Sequence, residues 1–349
     1  MNEDRARQAT TSDVTFSARA QRSERRAPTS IDQVEHASEH LSRNTFAGDH
    51  SREELRFRSG DAACAATSYR PSTSSGETLP CVVLAAGISQ TRRDGFARFA
   101  ERFADAGFAV LTFDFRHLGN SEGEPRQLID FKKQRADLTA AIAFARTLEG
   151  VDPERVAVWG YSFGGGHVID AAARDDRLAA AIAMCPFVDG LAFALAGEVR
   201  NTMRLMGAAG RAVFERRPIR LPLFGPTGKL VVFTQPEAAR GFEAVRGEDS
   251  QWRNEVLVLP TQPAARIRPV RAAHRVRCPL LVGLASNDTM VPSRPIERTA
   301  QRAPRGELRR YPGGHFDGFL DHFEQVAAEH IGFLNRHLRA SDHAGSHGM

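Results

Sequence analysis

Between Arg155 and Ala173 the chain must turn a corner that few backbones tolerate. Arg155-Val156-Ala157-Val158-Trp159 reads as a short buried strand, and Val168 to Ala173 reads as helix. Between them lies Gly160-Tyr161-Ser162-Phe163-Gly164. A serine at so sharp a tip takes a strained backbone conformation, and side chains two positions to either side would collide with the strand and helix. Glycine at both places relieves that clash. The Gly-x-Ser-x-Gly pattern is a weak signal alone. With a strand before it and a helix after it, it has the context of a nucleophile elbow, with Ser162 at the tip.

The rest of the chain repeats the strand–helix rhythm. Leu55 to Arg58 and Ala62 to Tyr69 flank the turn Ser59-Gly60-Asp61 and read as a β-hairpin at a sheet edge. Cys81 to Ala85 is a continuous apolar run suited to a strand buried on both faces. Phe96, Phe99, Ala100, Phe103 and Ala104 then fall at helical spacing. A strand at Ala109 to Phe113, a turn-rich loop at His117 to Pro125 and a helix at Phe131 to Leu148 precede the elbow, and Ala179 to Met184 follows as strand. The alternation predicts an α/β fold with a mainly parallel central sheet and helices on both faces. It breaks after Pro186. Residues 187 to about 275 hold apolar clusters and 14 Lys/Arg against 8 Asp/Glu without βα alternation, which predicts an inserted helical cap. The rhythm resumes at Pro279 to Leu284 and Glu307 to Tyr311, and Leu320, Phe323, Ala327, Ile331, Leu334 and Leu338 stripe a final helix. Residues 1 to about 50 are polar with no sustained apolar period and predict a disordered extension. The main domain is expected over 51–340, with 341–349 a loose tail.

Composition removes several classes of function. The net charge of +5 comes without basic–aromatic clustering or a nucleic-acid motif, so a solvated arginine-rich surface is expected, with no nucleic-acid partner. No apolar run approaches membrane-spanning length, and the N-terminus lacks a secretory pattern, so the expected location is the cytoplasm. Cys64, Cys81, Cys185 and Cys278 match no metal spacing and read as reduced, buried thiols. The histidines of the tail, His343 and His347, read as a solvated end. Neither a metal nor an organic cofactor is implied.

A serine hydroxyl needs a general base and a group to orient that base. Two later segments supply candidates, each just past a predicted strand. Asp288 stands in Ser286-Asn287-Asp288-Thr289-Met290, and His315 in Tyr311-Pro312-Gly313-Gly314-His315-Phe316-Asp317. The carboxyl ends of strands are where open α/β sheets place their sites. Asp317 competes for the acid role but is expected to begin the last helix, where it would cap. His167, within the elbow helix, is expected to be packed there. His322 is expected on the terminal helix facing solvent, and His274 is a further competitor. The charge that develops on a carbonyl oxygen needs two N–H donors. Phe163 supplies one, directly after the nucleophile. Ile88, in Ala85-Ala86-Gly87-Ile88-Ser89, is chosen for the other, with Ser89 as its rival.

These residues resemble the α/β-hydrolase superfamily over about Glu54 to Leu338. Phe113 to Gln127, Trp159 to His167 and Tyr311 to Asp317 resemble a branch that is dienelactone-hydrolase-like or Xaa-Pro dipeptidyl-peptidase-like and includes fungal polyketide transferases. The resemblance implies the α/β-hydrolase fold and a Ser162, Asp288, His315 triad under a helical cap. Many relatives carry histidine before the oxyanion-loop glycine, where this chain has Ala86. The expected activity is serine hydrolysis of a carboxylic ester or thioester through an acyl-enzyme, on a small substrate with an apolar acyl or aromatic group. The alternatives are acyl transfer by the same triad, amide cleavage, and an inactive scaffold used for binding.

Overall fold

The computed structural model describes residues 41–45 by backbone alone and then 50–72, 78–215, 217–226 and 228–339. Most of the expected N-terminal extension and the tail at 341–349 lie outside the described residues. Leu41–Thr45 forms a strand, β1, paired antiparallel with β2 (His50–Ser59). The expectation of no regular structure before residue 50 is therefore corrected over this stretch. The polar composition of β1 hides it, because an edge strand needs no apolar period to pair through its backbone.

β2 and β3 (Ala62–Pro71) form the expected hairpin in unbroken register from Ser59↔Ala62 to His50↔Pro71. Gly60, at φ 61°, makes the tight turn. The parallel part of the sheet consists of β4 (Leu79–Ala85), β5 (Ala109–Phe113), β7 (Val151–Tyr161), β8 (Ala180–Met184), β11 (Leu280–Ala285) and β12 (Gly306–Tyr311). The spatial order is β1-β2-β3-β5-β4-β7-β8-β11-β12, so the antiparallel strands form one edge and the elbow strand β7 is central. β4, β5 and β8 bury nearly every side chain, as strands covered on both faces must.

The sheet is flanked by α1 (Phe96–Asp105), α2 (Phe131–Ala145), α3 (Phe163–Ala172), α7 (Ser293–Arg302) and α8 (Phe323–Leu338). Phe99 on α1 meets Trp159 of β7 at 4.7 Å between ring centroids and Phe323 of α8 at 4.8 Å, so α1 and α8 pack together over the elbow strand. Asp130 caps α2 by accepting from the N–H groups of Lys132 and Lys133. All four cysteines are buried free thiols, as expected.

The inserted region is only partly helical, which corrects the expectation for 187–275. It holds α4 (Gly190–Ala196), α5 (Val199–Glu215), α6 (Pro236–Ala244) and three short 3-10 turns. It also contributes β9 (Ile219–Leu221) and β10 (Val256–Val258) to a second sheet, ordered β6-β10-β9. β6 (Leu128–Ile129) comes from the loop before α2, so the cap is stitched to the main domain by backbone hydrogen bonds. Strands of two or three residues are too short to show alternation in sequence.

Candidate active site

β7 ends at Tyr161 and α3 begins at Phe163, which leaves Ser162 alone on the turn with φ 54° and ψ −118°. A non-glycine residue at positive φ is costly, of order 1–3 kcal/mol, and persists only where its surroundings hold it. The Ser162 N–H donates to the Met184 carbonyl at 2.9 Å, and the Ser162 carbonyl accepts from Phe187 at 2.8 Å and Gly166 at 3.2 Å. A Cβ on Gly164 would stand 2.2 Å from the carbonyl oxygen of Ala85 and 2.5 Å from that of Ala86. One on Gly160 would stand 2.5 Å from the Gly164 oxygen. The two glycines let the helix, the elbow strand and the loop after β4 meet backbone to backbone.

Asp288 follows β11 and His315 follows β12, so both lie beyond the carboxyl ends of strands on the same side as Ser162. His315 Nδ1 and Asp288 Oδ2 are 2.7 Å apart, with side chains 2% and 1% exposed. The other carboxylate oxygen accepts from the N–H groups of Met290 at 2.8 Å and Val291 at 3.0 Å. An ionised Asp288 in this pairing requires the proton on Nδ1, which leaves the Nε2 lone pair free to act as a base. Among the described residues no hydrogen bond joins Ser162 to His315.

Three further groups fix His315 in place, a role that sequence reasoning assigns to none of them. The Tyr161 hydroxyl donates to the carbonyl of His315, and burial, the main cause, holds its pKa well above the ordinary value, so it stays a neutral donor. Glu237, at the start of α6, accepts from the His315 N–H with one oxygen and from the Thr289 hydroxyl with the other. One cap carboxylate thus ties the loop that carries Asp288 to the loop that carries His315. Tyr161 sat inside the recognised elbow motif, directly before the serine. Glu237 had no signal, since its partners are 52 and 78 residues away. The third is Asp317. It does not begin the last helix, which starts six residues later at Phe323. Instead its carboxylate accepts from Gly314 N–H at 2.7 Å and braces the loop that carries His315.

The competing histidines lie elsewhere. His167 is fully buried in α3, stacked on Phe131 at 4.4 Å with Nε2 3.2 Å from Gln134 Oε1. Burial pulls its pKa down to about 3. His322 is partly exposed at the N-cap of α8 rather than inside the helix, and His274 lies exposed in a 3-10 turn.

Phe163, first residue of α3, has an N–H with no partner inside its helix. The N–H of Ile88 donates to no acceptor among the described residues. Ser89, the rival, takes φ 61° and ties its hydroxyl to the carbonyls of Arg253 and Glu255, while Gln90 folds back beneath Gly87. A Cβ on Gly87 would lie 3.7 Å from that of Ser162, so this loop faces the elbow. A cavity of about 540 Å³ is lined by Ile88, Phe163 and Asp288 together with Leu205, Ile219 and Val258 of the cap.

Cys185, Asp288 and His315 each bring one possible metal-binding atom within 4.8 Å of the others. Burial, followed by the Asp288 charge, pushes the Cys185 thiol well above its ordinary pKa. Metals bind thiolate rather than thiol, and Asp288 is already committed to His315, so the trio fits a hydrogen-bonded Asp–His pair with a neutral thiol beside it.

A sequence profile of the family described as Serine aminopeptidase, S33, matches residues 77–321. The quorum-quenching protein AidA of Acinetobacter baumannii is 40% identical over 288 residues, covering 81% of this chain and 94% of AidA. The thiohydrolase aneE of Aspergillus aculeatus is 31% identical over 186 residues, covering 50% of this chain and 56% of aneE. The crystal structure of the α/β-hydrolase GrgF from a Penicillium species superposes with a TM-score of 0.69 at 22% identity, covering 82% of this chain and 99% of GrgF. The chain belongs to the serine-hydrolase-type α/β-hydrolases of the S33 family, and its enzyme class is hydrolase.

Proposed function

We propose that this protein cleaves a carboxylic ester or thioester by way of an acyl-enzyme on Ser162. The observation that carries the reading is the buried 2.7 Å pairing of Asp288 with His315 on the sheet end that also holds the elbow serine. Ser162 Oγ attacks the acyl carbon while its proton passes to His315 Nε2. The C–O or C–S bond then breaks, and the alkoxide or thiolate leaves with that proton. Water repeats the sequence to release the acid and restore Ser162. Asp288 holds the imidazole's tautomer and stabilises its cation, and the N–H groups of Phe163 and Ile88 receive the oxyanion charge. The apolar cavity supports a substrate with an acyl or aromatic group, and the thiohydrolase among the relatives supports a thioester leaving group.

A fluorophosphonate probe tests the nucleophile directly. The wild type is expected to take up one label and Ser162→Ala none. Equal labelling of both, or none of the wild type, ends this reading. A series of p-nitrophenyl esters of rising chain length, with acyl-thioesters alongside, then measures how deep the cavity accepts a chain.

A further inference from the structure

Every exposed large apolar side chain among the described residues lies on α4 or α5. Leu191 and Leu195 stand one turn apart on α4, with Leu195 77% exposed. On α5, Val199, Met203, Met206, Val213 and Phe214 follow helical spacing along one face, and Phe214 reaches 89% exposure. Scattered exposed leucines are normal on soluble proteins, but a contiguous patch marks an interaction surface.

The helix has two other faces. Asn201, Leu205 and Ala209 turn inward and line the cavity, while Met206 belongs to both cavity and patch. Arg200 and Arg204, each one residue beyond a stripe residue, and Arg211, one beyond Gly210, form the third face. They are exposed, and among the described residues none has a carboxylate partner; Arg204 donates only to the Gly228 carbonyl. Within α5 they face a single glutamate, Glu215. An apolar stripe edged with cations is the pattern of a helix that lies in a membrane interface, apolar face in the acyl boundary and arginines at the phosphates. A second copy fits less well, because antiparallel twofold packing of α5 on α5 would bring the arginine edges to the same side. Among the described residues no helix is long and apolar enough to cross a membrane, which interfacial binding does not require.

We infer that α4 and α5 dock the cap onto an anionic lipid surface, with the cavity mouth opening beside the contact. The inference does not depend on the catalytic reading, and Ser162→Ala should bind like the wild type.

Sedimentation of the full chain with phosphatidylcholine vesicles, with and without phosphatidylglycerol, tests it. Binding is expected to the anionic vesicles and to weaken with added salt. Each of Arg200→Gln and Arg211→Gln should lower the partition coefficient about fivefold. Met203→Ser with Phe214→Ser should lower it at least about tenfold. These four residues do not line the cavity, so turnover of a soluble ester should be unchanged and report an intact fold. Absence of vesicle binding, or binding indifferent to the arginine changes, overturns the inference. So does a dimer in light scattering that the Met203/Phe214 pair dissociates, since the patch would then belong to a second copy.

Discussion

Two helices of this protein carry more than one glycine, and they carry them for opposite reasons. In α3 every residue is buried, and Gly164, Gly165 and Gly166 would each bring a Cβ within 2.8 Å of a neighbouring atom. In α5, Gly207 and Gly210 have nothing within 4 Å of where a Cβ would stand. The first helix is defined by what presses on it, the second by what it leaves open. Chemistry that needs a serine at a strained φ requires the first kind of packing. A surface that admits a substrate or meets a partner can use the second. The same division separates the proposed triad, held by buried contacts, from α5 of the cap, whose apolar side chains face cavity and solvent.

The sharpest break of that comparison falls on the two carboxylates near His315. Asp288 meets the ring, whereas Asp317 meets only the backbone of Gly314. Asp288→Asn should reduce kcat on a p-nitrophenyl ester about 10⁴-fold by supporting the wrong tautomer. Asp317→Asn keeps an acceptor for the Gly314 N–H and should cost less than about tenfold, since it touches the loop and not the ring. A reversed ranking of the two kcat values would move the acid role to Asp317.

One substitution at the two glycine sites should change stability in opposite directions. Gly164→Ala drives a methyl against the carbonyls of Ala85 and Ala86, backbone that cannot swing aside, and should cost at least about 3 kcal/mol. Gly210→Ala, in open space on a helix, should stabilise by up to about 1 kcal/mol. Urea unfolding of the two variants measures the gap. Similar costs at both sites would mean that the elbow has room it is not credited with.

This contrast also explains what could be read from the sequence. The parallel sheet was legible because its strands are buried on both faces, and so appear as unbroken runs such as Cys81 to Ala85. The elbow was legible because its glycines are required by a close backbone approach. Ser162, Asp288 and His315 could be proposed because each follows a readable strand. Glu237 could not, since a contact across 78 residues leaves no local trace. The Asp317 expectation failed because the segment before α8 forms turns through Phe316, Phe319 and Leu320, whose apolar spacing imitates the first turn of a helix. The small cap sheet was missed because its strands have two or three residues.

The smallest effect separates core from cap by acid. His167 and His330 are fully buried without nearby carboxylates, and burial pulls both down to about 3 from an ordinary 6.5. Below pH 6.5 the unfolded chain therefore takes up protons that the native state refuses until about pH 3. Stability is fully present above 6.5 and falls as pH drops through that window, by about 1.4 kcal/mol per pH unit for each histidine. Residues 187–263 of the cap contain no histidine, so this slope belongs to the core. The protein has two tryptophans, Trp159 bonded through its indole N–H to His330 and Trp252 stacked in the cap on Phe242. A Trp252→Phe background therefore leaves Trp159 as a core reporter. In it, urea midpoints should fall steadily from pH 7 toward 4.5. Adding His167→Phe keeps a ring against Phe131 and removes one of the two groups held near 3, so the slope should fall by about 1.4 kcal/mol per pH unit. A slope that does not change would show that His167 takes up its proton without unfolding, and that the core around α3 is less closed than its packing implies.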